Sequence, residues 1–412
     1  MTERSTSEAD ANGSSVHDVH RPWAIYLLFG LYGLQQGMLG PAMPFVRAEF
    51  GFDLRAVGLH FAAYALGLAS IGLPYHWLRH RRLSTGIGQI AILAVAVASG
   101  LLAIARALPI TLLAGTLMGI SGGLLMTTGQ AKLGARYRAR AASRLVEAHV
   151  AASLCVLGGA LLVGGLTSLG WSWRSAPTAI AVAALLLAAL PFAAYRQDEP
   201  ERHAANTGVP APDTANVPSM LRFGLWALVI LAISAEWGVG FWGAEYLKEM
   251  VTGNAATAAA LMTVYFGGTV GGRLASSYLL RAMQPLTLLL AITPGAVVTF
   301  AALHATRGIG VTACVMAMLG VCLGNFFPLI LGAAMRAAPG AGASLSACAS
   351  QGVGIALLIA PFLLGMLSEE IGVRTSFATL IAYPLLMLPL LPILRTHAKT
   401  DHCGTTNGDP AQ

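Results

Sequence analysis

Between Trp23 and Leu394 the chain is a succession of apolar runs, each about 20 residues long and separated from the next by a short polar or Gly/Pro break. A run of that length crosses the roughly 30 Å hydrocarbon core of a bilayer as a helix. Inside hydrocarbon each segment must satisfy its own backbone N–H and C=O groups, which makes helix the default. The short alternating segments of a membrane barrel do not occur. Composition agrees: 56% of the 412 residues are hydrophobic and 10% charged, with a mean hydropathy of +0.68, whereas soluble globular domains carry about 25% charged residues. The sequence predicts an all-α polytopic membrane protein.

Reading runs against breaks gives twelve transmembrane helices, at 23–45, 56–78, 84–105, 109–131, 145–169, 175–195, 222–246, 255–280, 285–305, 309–335, 344–367 and 373–394. The longest interruption, Arg196 to Met220, is rich in Pro, Ala, Asn and Asp and reads as a linker. It divides the chain into an N-terminal tail (1–22), a six-helix bundle (23–195), a linker (196–221), a second six-helix bundle (222–395) and a C-terminal tail (396–412). The first tail is polar and acid-containing, unlike a cleaved signal peptide. Cys155, Cys314, Cys322 and Cys348 lie in apolar runs and Cys403 in the second tail, without CxxC or metal-ligand spacing, so no metal or cofactor is expected.

Charge sets an orientation. With both termini assigned to the cytoplasm, 18 of the 25 Lys and Arg fall on that side. Arg47, Arg55, Arg106, Arg174, Lys248, Arg307 and Arg374 fall on the other, as the positive-inside rule requires. The net charge of +7 is thereby a topology signal for a cytoplasmic (inner) membrane protein, and it needs no nucleic-acid partner.

The halves also echo each other. "MGISGGLLM" in the fourth span sits like "LGVCLGNFF" in the tenth, Gly119 matching Gly320. "VGGLTSLGWSWRSA" after the fifth resembles "LLGMLSEEIGVRTSFA" after the eleventh, aligning Gly165 with Gly365 and Arg174 with Arg374. "HWLRHRRL" after the second has a weaker echo in "LLRAMQPL" after the eighth. All three offsets are about 200 residues, as a six-helix duplication gives, and internal repeats mark secondary transporters whose site lies at the repeat interface.

With these features the chain resembles the major facilitator superfamily over nearly its whole length. The superfamily's loop between helices two and three runs G-x-x-x-D-R-x-G-x-R-R; here it reads Gly72-Leu-Pro-Tyr-His76-Trp77-Leu-Arg79-His-Arg81-Arg82. The first glycine and last two arginines match, and the aspartate that helps close the cytoplasmic gate in the family is His76. The second half resembles the sugar-permease-like branch that includes fucose permeases. Glu236, Trp242 and Tyr246-Leu247 fit its seventh helix, and "GGTVGGRL" (Gly267–Leu274) its eighth. The glycine-rich run of drug antiporters is half present, as Gly158, Gly159, Gly164 and Gly165 without the proline. The resemblance implies two pseudo-symmetric bundles rocking about a central site, with Gly72, His76, Arg81 and Arg82 as a gating loop.

Several residues stand out within the apolar runs. Glu236 lies fourteen residues past Arg222, about 21 Å along a helix, so it is deep in the membrane and must face the bundle interior. It is the expected proton-coupling group, with His149 second; the bland alternative is a carboxyl that ties two helices together. Glu245 is expected near the outer surface, in water or paired with Lys248. Trp237 and Trp242 start too deep for an interfacial belt and are expected to line the cavity with Tyr32, Gln35, Gln36, Gln130, Asn325 and Gln351. Uncharged amides and hydroxyls suit a neutral polar solute; interhelical hydrogen bonding is their other use. Arg273 follows two GxxxG pairs, Gly267/Gly271 and Gly268/Gly272, which let helices approach closely. It either snorkels to the inner face or meets a carboxylate inside, in a gating or structural role.

Other function classes lack their motifs. There is no GxxxxGK[ST] for a nucleotide, and for an enzyme no HExxH, no paired intramembrane Asp and no GxSxG on a plausible strand. His76 and His80 are four apart, but three arginines beside them oppose a metal. The expected function is alternating-access transport of a small solute by a monomer, as proton symport of a polar or sugar-like molecule. Proton-antiport efflux of an amphiphilic metabolite or drug is the alternative.

Overall fold

The computed structural model describes residues 23–71, 86–137, 141–189, 217–306 and 308–395, and among these it is helical, with no strand. The helices of the first half are α1 (Trp23–Phe50), α2 (Leu54–Ala69), α3 (Ile87–Ile104), α4 (Leu108–Tyr137), α5 (Ala141–Ser168) and α6 (Ser175–Ala189). In the second half, α7 (Ser219–Leu247) continues into a π turn at Lys248–Thr252, followed by α8 (Ala255–Leu279) and α9 (Pro285–Ala305). The tenth span is broken into α10 (Ile309–Leu323) and α11 (Phe326–Ala337). The last two spans are α12 (Gly342–Ala378) and α13 (Ala382–Leu390). Gly372, at φ 81° and ψ 155°, interrupts α12 and separates the eleventh span from the twelfth; a side chain would be strained in that conformation.

Among the described residues, seven helical stretches are long and apolar enough to cross a membrane on length and composition alone. The described parts of α2 and α6 are apolar but shorter, 16 and 15 residues. Gly72, His76, Arg81 and Arg82, both tails and most of the linker lie outside the described residues.

The echo between the halves is a packing motif. A Cβ on Gly67 of α2 would stand 2.1 Å from the Thr116 carbonyl oxygen, and one on Gly119 of α4 2.0 Å from that of Tyr64. In the second half Gly268 meets the Ala317 oxygen at 2.1 Å and Gly320 the Tyr265 oxygen at 2.1 Å. Each residue of the first set is 201 positions from its partner in the second. Only glycine allows backbones this close, so α2–α4 and α8–α10 are the same helix pair built twice. This register corrects one alignment: Gly164, not Gly165, corresponds to Gly365. Gly164 packs on Ala260 of α8 as Gly365 packs on Gly58 of α2, while Gly165 faces open space. Of the two GxxxG pairs, Gly268/Gly272 seats α8 on α10 and Gly267/Gly271 faces nothing.

The halves meet along α2–α12, α5–α8 and α1–α7. Toward the end at which α1 and α7 finish, they are sealed. Gly40 touches Gly240 and Phe241, Phe61 stacks on Phe241 with ring centroids 4.6 Å apart, and the Leu54 N–H donates to Glu369 at 2.9 Å. Arg47 pairs with Glu245 and Glu249, and Arg55 with Glu370. Glu245 is therefore not at the surface. It is 1% exposed, inside the seam, with Lys248, its expected partner, 3.9 Å away.

Candidate functional site

Four helices converge on Glu236, midway along α7. The carboxylate is buried and accepts from Arg273 Nη2 of α8 at 3.1 Å. The same guanidinium donates through Nε to the Gly324 carbonyl at 3.0 Å and through Nη1 to Ser153 Oγ of α5. Ser153 in turn donates to the His149 carbonyl at 2.9 Å. One cation thus holds a carboxylate of its own half, the broken backbone of the tenth span and a hydroxyl of the other half. Of the two expectations for Arg273, meeting an internal carboxylate is the one realised.

The break in the tenth span explains how Arg273 is positioned. Main chain at membrane depth must be satisfied by protein where the helical ladder fails. Asn325 donates its side-chain amide to the Val321 carbonyl at 2.7 Å, and Arg273 takes the neighbouring Gly324 carbonyl. Tyr265 donates its hydroxyl to the Glu236 carbonyl at 2.9 Å, fixing α8 against α7 at this level. A buried carboxylate without a cation would be severely penalised, and pairing offsets much of that cost.

His149 lies one turn from Ser153 toward the end at which α1 begins, with its ring edge-on to Phe29 at 5.4 Å. It is exposed and close enough to Arg273 for their charges to interact. Tyr32 sets its ring against Gly122 beside Tyr64, and Gln36 is buried one turn on. Trp237 is partly exposed and tilts against Phe241 at 5.1 Å. The Arg273 side chain is 34% exposed.

Three expected lining residues have other employment. Gln35 is 1% exposed; its amide donates to Ser99 Oγ at 3.1 Å and accepts from Ser121 Oγ at 3.2 Å, a bracket across α1, α3 and α4. Trp242 is buried, donates to the Pro361 carbonyl at 3.0 Å and meets Phe61 edge-on, so it belongs to the seal. Gln351 lines a groove of about 460 Å³ with Arg222, Trp226 and Cys348, between the starts of α7 and α12. Asn325 caps a carbonyl, as described, and Gln130 is exposed near the end of α4. Sequence reasoning overlooked Ser153, a lone hydroxyl in an apolar run with nothing to mark it.

The sequence profile described as Major Facilitator Superfamily matches residues 25–357. The chain belongs to that superfamily. Among solved structures it is similar to a bacterial homologue of the human lysosomal transporter Spinster, in an inward-facing and occupied conformation, at 15% identity and a TM-score of 0.69 over 91% of this chain and 96% of that one. It is also similar to the nucleoside transporter NupG, at 12% identity and a TM-score of 0.68 over 91% and 98%. No curated protein matches the chain in sequence. The transporter is thus a multi-pass membrane protein that moves a small solute, and its family is not one of enzymes. The matches carry the superfamily and not its sugar-permease-like branch.

Proposed function

We propose that the protein is a proton-coupled symporter of a small polar solute, working as a monomer by alternating access across the cytoplasmic (inner) membrane. Both termini are in the cytoplasm, so the sealed end faces outward and the cavity opens inward. The Spinster homologue that shares the fold was likewise captured facing inward.

The observation that supports coupling is the shared guanidinium. Arg273 holds Glu236 of one half and Ser153 of the other, so a proton on Glu236 alters the balance of a contact between the moving halves. Charged Glu236 keeps Arg273 engaged; neutral Glu236 frees it, and the halves can separate or re-form around a solute. His149, near Arg273 on the open side, is placed to pass the proton to cytoplasmic water.

The test uses purified protein in liposomes that hold a pH-sensitive dye, with a panel of sugars, nucleosides, monocarboxylates and lipophilic cations. At least one solute class should move protons with the wild type and none with Glu236→Gln. Equal proton movement in both proteins would make Glu236 a structural carboxyl. Proton movement opposite in direction to the solute would replace symport by antiport.

A further inference from the structure

We infer that the solute is an organic monocarboxylate whose anionic group replaces Glu236 on Arg273, so that one proton and one anion cross together. The inference rests on the coupling role proposed for Glu236 and adds the substrate's charge and the direction of coupling.

It begins with what the site has left to offer. The amides that would recognise a neutral sugar are engaged or elsewhere: Gln35 is held by Ser99 and Ser121, Gln36 bonds Tyr32, Asn325 caps Val321, Gln130 is exposed near the end of α4, and Gln351 lies in the groove beside Arg222. The Trp242 indole N–H is taken by Pro361. Arg273 is different. A guanidinium carries five N–H donors in a flat fork, and Gly324, Ser153 and Glu236 take one each. One N–H remains on each of the two terminal nitrogens, on a side chain 34% exposed. A carboxylate is the ligand that such a fork suits.

Charge then fixes the valence. The titratable groups around Glu236 among the described residues are Arg273 and Tyr265 from α8, Tyr32 from α1 and, beyond Arg273, His149 from α5. No second carboxylate belongs to the group. When Glu236 takes a proton, Arg273 is left as a partly buried cation without its counter-charge, and an anion in that place is favoured. A monoanion restores neutrality; a neutral solute does not, and a dianion overshoots. Proton and anion therefore favour each other's binding, and by linkage the factor is reciprocal. Carried together they add no net charge, so the cycle is electroneutral. Tyr32 and Trp237, both partly exposed, give the rest of the molecule an apolar, aromatic wall.

The experiment is calorimetric titration of the detergent-purified protein in two buffers of different ionisation enthalpy, which counts protons per ligand. The probes are benzoate, phenylacetate, 4-hydroxybenzoate and hexanoate, with 4-hydroxybenzamide as the neutral isostere and phthalate as the dianion. At least one monocarboxylate should bind with uptake of about one proton, weakening about tenfold per pH unit once Glu236 is ionised in the free protein. The benzamide and phthalate should not bind. Glu236→Gln should bind the same anion without proton uptake and with a flat pH profile. The double variant Glu236→Gln/Arg273→Gln has no unpaired charge to unfold it and should lose the anion. Binding of the benzamide or of a sugar with no monocarboxylate bound, while Glu236→Gln still abolishes dye-detected proton flux, overturns the anion assignment and leaves coupling standing. A monocarboxylate that binds without proton uptake in either protein overturns the coupling as well as the exchange.

Discussion

Gln35 and Glu236 occupy the same place in the two halves. The 201-residue offset that relates Gly67 to Gly268 and Gly119 to Gly320 carries one onto the other. Their surroundings are not the same. Gln35 finds Ser99 and Ser121, whereas the corresponding positions in the second half hold Phe300 and Cys322, both buried. With no hydroxyl to meet it, the Glu236 carboxylate turns to Arg273, whose own counterpart is Gly72. The duplication has kept the backbone packing and changed the polar chemistry. One half carries a neutral bracket that locks three helices; the other carries an ion pair, Glu236 with Arg273.

The largest effect that would sharpen this contrast is the loss of Arg273. Arg273→Gln strands a buried carboxylate and should destabilise the protein by about 3 kcal/mol, read as a shift in unfolding in detergent. Adding Glu236→Gln should restore most of that loss, and no rescue would mean that Arg273 acts through Gly324 and Ser153 instead. Next comes the shared packing. Gly119→Ala and Gly320→Ala each force a methyl into a carbonyl oxygen and should cost about 1–3 kcal/mol, similarly in the two halves, while Gly267→Ala should be near neutral. Unequal losses at the paired glycines would break the equivalence.

Gln35→Leu should cost about 1–2 kcal/mol by leaving Ser99 and Ser121 without their partner, yet leave proton movement in liposomes intact. Glu236→Gln should do the reverse. The smallest effect concerns a loop. Just beyond the first span, Glu49 accepts from Trp173 at 2.7 Å and from Arg174 at 2.6 Å. Burial opposes its charge, but Arg174 and Trp173 outweigh it and hold the carboxyl below its usual value. A depressed pKa stabilises the folded state above the unfolded carboxylate's pKa, and that contribution fades as pH falls through the folded value. For so exposed a group it is below about 1 kcal/mol. Melting below pH 5 should therefore fall slightly more for wild type than for Glu49→Gln. The equivalent position in the second half, Met250, has nothing to titrate.

Much of this was legible in the residues, for identifiable reasons. Hydrocarbon thickness dictates run length, so the spans could be read from apolar stretches, and a carboxylate amid Val229–Leu247 had to face inward. The partner was harder to read. Glu236 and Arg273 lie 37 positions apart on separate helices, and nothing local says whether an intramembrane arginine turns outward or inward. The amides misled because an amide in an apolar helix looks the same whether a solute or a serine awaits it. Only the folded chain brings Ser99 and Ser121 opposite Gln35. Glu245 pairs with Lys248, as its spacing suggested, but its second partner, Arg47 of the other half, could not be read from one helix.

The seal has a mechanical consequence. At Gly58–Gly365 and Gly40–Gly240 the two halves press bare main chain against main chain, with no side chain reaching across at those points. Surfaces without knobs or sockets can slide and part with no rotamer to unlock, so resistance to opening comes chiefly from the aromatic and ionic contacts around them. The same smoothness makes the seam intolerant of grit. One added methyl would act as a wedge, holding the door ajar and turning a gated passage toward a leak.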